Sequence, residues 1–181
     1  MRATPLAVTA LAAALLLTAC DSGGSGSGSE SDDSGSSRKP GDACQIGQLG
    51  VEAGPANAAP AAGDEGNIPV SLTNQSAPCT LEGIAGAVLK AGGASATVPA
   101  ADGAQPEKLT LAKGDSVTFT LTYVRGGAAG AKSLAAKTLE ISLPGAPDDV
   151  QSFPWSYGPV ALKADGEAPD ASVGPFTRAG D

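Results

Sequence analysis

The 181 residues contain no histidine, and the single methionine is Met1. That absence excludes Ser-His-Asp and Cys-His catalysis, and it removes the imidazole that most often ligates zinc, copper and haem. Cysteine is limited to Cys20, Cys44 and Cys79. Aromatic residues make up only 3%, so any core must be built from Val, Leu, Ile and Ala. No long segment keeps a 3.6-residue apolar period. The longest apolar run, Leu6 to Leu17, is shorter than the roughly 20 residues that a membrane-spanning helix needs.

Cationic clusters are missing as well. Acidic residues outnumber basic ones 19 to 11, a formal net charge of −8, and Lys90, Lys108, Lys113 and Lys132 are scattered along the chain. Loss of Arg2 with a leader would take the charge to about −9. Such a surface repels nucleic acid and anionic lipid at close range, and neither is an expected partner.

What is present begins with an address. Arg2 supplies a positive end, Leu6 to Leu17 an apolar centre, and small residues lead into Leu17-Thr18-Ala19-Cys20. The segment resembles a bacterial lipoprotein signal ending in a lipobox. The resemblance implies cleavage before Cys20, a diacylglyceryl thioether on its sulfur, and a protein exported and anchored at the outer face of the cell membrane. Several acyl chains together hold stably where one does not. Asp21 to Ala43 follows, built from Gly and Ser with Glu30, Asp32 and Asp33, and is too polar to offset the cost of ordering. It reads as a disordered tether with a root-mean-square span of roughly 25 Å. The expected organisation is a signal peptide over 1–19, the lipidated cysteine and tether over 20–43, and one domain over 44–181.

With Cys20 assigned to lipid, Cys44 and Cys79 remain as an even pair in an oxidising compartment, and a disulfide between them is expected. It closes a loop of about thirty-five residues, for which the chain-entropy account gives roughly 3 to 4 kcal/mol. Cys79 belongs to the stretch around which the domain is organised. Ile68, Val70 and Leu72 alternate with polar or turn residues as in a half-buried strand, Asn74 to Pro78 supplies a turn, and Leu81 shares a face with Cys79.

Further strands recur at spacings of roughly ten residues. Leu49 and Val51 share a phase that Ile46 breaks, which suggests a bulge or a late start. Asn57 to Gly66 reads as a loop. Ala87 to Lys90 and Ala96 to Val98 flank Gly92-Gly93. Leu109 and Leu111 precede a turn at Lys113-Gly114-Asp115, and Val117, Phe119, Leu121 and Tyr123 give the cleanest alternation in the chain. After a Gly126 to Gly130 loop, Leu139, Ile141 and Leu143 alternate until Pro144-Gly145. Phe153 to Tyr157 and Val160 to Leu162 are the last expected strands. The competing local preference is a helix over Ala128 to Lys137, because Ala-rich segments favour one. The pattern predicts an all-β, antiparallel, immunoglobulin-like β-sandwich, with a small barrel as the alternative.

The order of T-N-Q-S-A-P-C-T-L-E-G-I-A-G, Val88-Leu89, L-T-L-A-K-G-D-S-V, L-E-I-S-L-P-G and S-V-G-P-F resembles the domain of unknown function 4232, found in secreted lipoproteins of high-GC Gram-positive bacteria. The likeness covers about Cys44 to Phe176. It brings no established catalytic or binding residues.

Chemistry would have to run on carboxylates, Lys, Tyr or Ser. Asp148-Asp149 and Asp165-Gly166-Glu167 are the acidic runs that could in principle hold Ca²⁺ or act as an acid/base pair, but in Gly/Pro loops such residues are ordinarily solvated surface. Neither matches a calcium loop. No cofactor, metal or catalytic residue is expected. Phe153, Trp155 and Tyr157 occupy alternate positions, so an extended segment would put three rings on one face, a candidate binding face for sugars or peptides. The competing reading is that they close one end of the core. The expected function is a tethered binding or interaction module of the cell envelope, not an enzyme, with cell-wall polymer or another envelope protein as partner. A carboxylate-based, hydrolase-like enzyme and a purely structural surface protein are the alternatives.

Overall fold

Ser116–Val124, the most regular alternation in the sequence, forms a nine-residue strand inside the larger of two sheets. The structure, a computed structural model, describes residues 42–127 and 132–179. The expected signal peptide, Cys20 and the tether up to residue 41 lie outside the described residues. Among the described residues no helix is long and apolar enough to cross a membrane.

A short 3-10 turn at Ile46–Gln48 leads into β1 (Leu49–Ala53), followed by β2 (Glu65–Asn74), β3 (Cys79–Glu82), β4 (Gly86–Ala91) and β5 (Ala94–Val98). Then come β6 (Lys108–Leu111), β7 (Ser116–Val124), β8 (Ser133–Leu134), β9 (Thr138–Leu143) and β10 (Ala146–Pro154). The last three are β11 (Val160–Ala161), β12 (Ala171–Val173) and β13 (Thr177–Arg178). One sheet runs β1-β2-β7-β12 with β13 also on β7, the other β10-β9-β4-β5, and β3-β6 and β8-β11 form two small ribbons. The pairings between these strands are antiparallel. The domain is an all-β antiparallel sandwich, as the strand spacing predicts.

Register explains the core. Ile68 stands opposite Leu121, Val70 opposite Phe119 and Leu72 opposite Val117, and all six side chains are at most 2% exposed. From the other sheet, Leu89 and Ala87 face Leu139 and Ile141, which join the same apolar cluster. A one-residue slip would turn either set outward, so the alternation itself fixes the pairing. Asn74 is 1% exposed yet satisfied: its Nδ2 donates to the carbonyls of Ala77 and Leu111, and its Oδ1 accepts from the Ser76 N–H. This Asx turn brings the chain round to Cys79.

Cys79 is bonded to Cys44 with the Cα atoms 4.9 Å apart, and both residues are buried. Backbone bonds reinforce the link, since Thr80 donates to the Asp42 carbonyl and Cys44 donates to that of Thr80. The expected pairing holds.

Several local expectations change. Ile46 is neither in a bulge nor in a strand: it is buried from the 3-10 turn, and the strand starts late, at Leu49. The loop after Asn57 ends at Asp64, because Glu65 and Gly66 already pair with Val124 and Tyr123. The Ala128 to Lys137 helix is not formed from Ser133 onward. Ser133 and Leu134 pair with Ala161 and Val160, tertiary pairing overriding a weak local preference; residues 128–131 lie outside the described residues. The strand expected over Phe153 to Tyr157 instead occupies Ala146–Pro154 and stops before Trp155.

Candidate functional site

Tyr123, the last inward residue of β7, organises one end of the sandwich. Its side chain is fully buried, and its ring meets Trp155 edge-on at 5.1 Å and Tyr157 at 6.3 Å, while Trp155 and Tyr157 are themselves edge-on at 5.0 Å. Edge-to-face packing at such distances adds to what burial alone contributes. Gly66, paired with Tyr123 across the strands, makes the approach possible: a Cβ there would lie 2.5 Å from the tyrosine ring. The hydroxyl accepts from the Ala59 N–H at 3.2 Å and donates to the Tyr157 carbonyl at 3.3 Å. Arg125 Nη1 completes the clamp by donating to the Ala59 and Pro60 carbonyls. One tyrosine and one arginine thus hold the 54–64 connection against the 155–159 turn.

Tyr123→Phe tests this hub. It keeps the ring and deletes the hydroxyl, leaving the N–H of Ala59, a residue only 1% exposed, without its acceptor. Unfolding free energy is expected to fall by about 1 to 3 kcal/mol, read from chemical denaturation. An unchanged midpoint would show that neither bond matters.

Phe153, Trp155 and Tyr157 do not form an exposed row. Trp155 is 7% exposed, and Phe153 and Tyr157 are half-buried against the core. The physical reason lies in the backbone: β10 ends at Pro154, so Trp155 and Tyr157 belong to the turn after the strand and fold inward onto Tyr123. Trp155 is held by its N–H to the Lys137 carbonyl and by its indole Nε1–H to the Gly158 carbonyl. Gly158 takes a φ of 86°, which only glycine adopts freely, and turns the chain back under the indole.

Beside the tryptophan is a cavity of about 260 Å³ lined by Gly127, Ser133, Ala135, Ala136, Lys137, Trp155, Ser156, Gly158 and Pro159. Among the described residues its wall is mainly apolar and holds one charged residue, Lys137, which is exposed and makes no ion pair there. Ser133 Oγ is buried and has no hydrogen-bond partner among the described residues. Sequence reasoning found Trp155 but not this cavity, because its other lining residues include Ser133, Ala135 and Ala136, from a segment with helical propensity.

The acidic pairs behave as solvated surface. Asp148 and Asp149 are exposed on β10, and Asp165 and Glu167 are exposed in a turn. The backbone N–H groups of Glu167 and Ala168 hold the Asp165 carboxyl below its ordinary range, the reverse of what a general acid requires. A polar depression of about 220 Å³ elsewhere gathers Glu65, Asp102, Asp170 and Lys163, none of them singled out from the sequence. Its Glu65 and Asp102 are exposed, so water screens them from one another. No group of three or more acidic or cysteine residues placed to hold a metal ion occurs among the described residues.

The fold and this end of it define a disulfide-stapled, antiparallel β-sandwich domain with an aromatic hub. Residues 44–177 match the family model of the domain of unknown function DUF4232, and the chain belongs to that family. The search of curated proteins returned no match.

Proposed function

We propose that the protein is a lipid-anchored, extracytoplasmic binding module of the cell envelope, without catalytic activity. The observation that carries the binding reading is the mainly apolar cavity beside Trp155 at one end of the sandwich, the usual form of a small-ligand site. The exposed carboxylates of the polar depression supply neither desolvation nor a positioned proton donor, which weighs against the hydrolase-like alternative. Export is supported by Leu17-Thr18-Ala19-Cys20 together with a buried Cys44–Cys79 disulfide, a bond that persists in oxidising compartments. The anchor attaches the module to the membrane through Cys20, and its partner is cell-wall polymer or another envelope protein.

Two measurements on the producing cells test this reading. Cys20→Ser is expected to release the protein into the medium or leave an uncleaved precursor, read by fractionation and intact mass. A processed Cys20→Ser protein that stays on the membrane would refute lipid anchoring. Photo-crosslinking of the anchored protein is expected to give adducts with wall polymer or an envelope protein, and a complete lack of adducts would refute the interaction role.

A further inference from the structure

We propose that the Trp155 cavity is a binding site for a small anionic ligand whose body is a single apolar ring. The inference rests on the binding-module reading above and deepens it by naming the ligand class. Three features of the cavity select that class.

Size is the first. A cavity of about 260 Å³ exceeds the roughly 150 Å³ that holds benzene in an engineered apolar core, and it falls below the range of drug-sized pockets. One ring with a short substituent fits it. Wall chemistry is the second. The indole of Trp155, the methyl groups of Ala135 and Ala136, and the Pro159 ring offer apolar contact, and the indole N–H is already committed to the Gly158 carbonyl. The tryptophan therefore has no donor of its own left for the ligand.

Charge is the third and decides the sign. The protein carries a formal charge of −8, yet among the described residues the wall of this cavity holds one charged residue, Lys137, and it is a cation. The sequence around the wall agrees: Lys132 to Lys137 contains two lysines and no acid, and Val150 to Leu162 contains no charged residue. Arg125 packs its guanidinium against Gly158 on the same turn. The Glu140 carboxylate, on β9 three residues beyond Lys137, is engaged by Lys90 at 3.2 Å. On an acidic molecule this is a local reversal of sign at an apolar cavity, complementary to a carboxylate borne on a ring.

The protein carries its own reporter, because Trp155 is the only tryptophan. Purified protein is titrated with benzoate, benzyl alcohol and methyl β-glucoside while tryptophan emission is followed. Benzoate is expected to give a saturable change with a dissociation constant on the order of 0.1 to 1 mM, and benzyl alcohol a weaker one. Lys137→Ala should weaken benzoate about threefold and leave benzyl alcohol unchanged, and Lys137→Glu should weaken benzoate further. Ala135→Phe, at an exposed wall position, should abolish both responses. No saturation by benzoate at tens of millimolar, a benzoate affinity insensitive to both Lys137 variants, or a response to the glucoside alone would each overturn the proposal. The lysine variants lie on the surface, so they decide the matter even where Ala135→Phe perturbs folding. Failure here with envelope adducts intact removes only the ligand assignment, whereas loss of adducts with benzoate binding intact removes only the envelope partner.

Discussion

Trp155→Ala is expected to lower the unfolding free energy by about 3 to 5 kcal/mol, the range for truncating a buried tryptophan. For a domain of this size that corresponds to a fall in melting temperature of about 10 to 15 °C. The magnitude follows from the contacts. The indole is 7% exposed, packs edge-on against two tyrosines, and donates to the Gly158 carbonyl that would be left without its partner. Removing it opens space next to an existing cavity, so little can collapse to fill the void. Thermal unfolding followed by circular dichroism checks the claim. A loss under about 1 kcal/mol would mean that the ring is displayed to solvent and would restore the exposed binding face in place of the hub.

Joint replacement of Cys44 and Cys79 by serine is expected to remove about 3 kcal/mol. The bridge spans 35 residues of sequence, and opening it returns that loop's freedom to the unfolded chain. Both positions are buried, at 6% and 2% exposure, so the serines also bring unpaired hydroxyls into apolar surroundings. The comparison is a denaturant midpoint for the disulfide-bonded protein against the double variant. Equal midpoints would show that the sandwich owes nothing to the staple.

The segments that could be read from the sequence were those whose alternation is both long and buried on one face. Val117 to Tyr123 and Ile68 to Leu72 are of this kind, and their register follows from their own pattern. Three of the short strands escaped because two or three residues carry no period. Ala171–Val173 and Thr177–Arg178 gain their strand character from β7, and Ser133–Leu134 from Val160 and Ala161. The acidic Ala146–Pro154 strand escaped for another reason. It lies at the edge of its sheet and is mostly exposed, so polar Asp148, Asp149 and Gln151 replace the expected alternation and protect the edge from pairing with other chains.

The candidate site divides in the same way. Tryptophan in an aromatic-poor chain marked the right position, but its orientation depends on where β10 ends, which Pro154 alone does not reveal. The opposite wall is built from side chains too small and too common to attract notice.

A pull on the chain from its N-terminal side meets the disulfide before it meets the sheets. The first described residues, Asp42 to Cys44, are joined to β3 by two backbone bonds and then by the disulfide. Tension entering at Cys44 divides there, and the covalent branch leads straight into Cys79. The intervening hairpin of β1 and β2 is bypassed. Its ladder, which would otherwise peel open one rung at a time from Leu49, carries almost no load. A domain pulled by this end thus resists unravelling from it, and under single-molecule extension the 35-residue segment between the cysteines should contribute no length until the bridge is reduced.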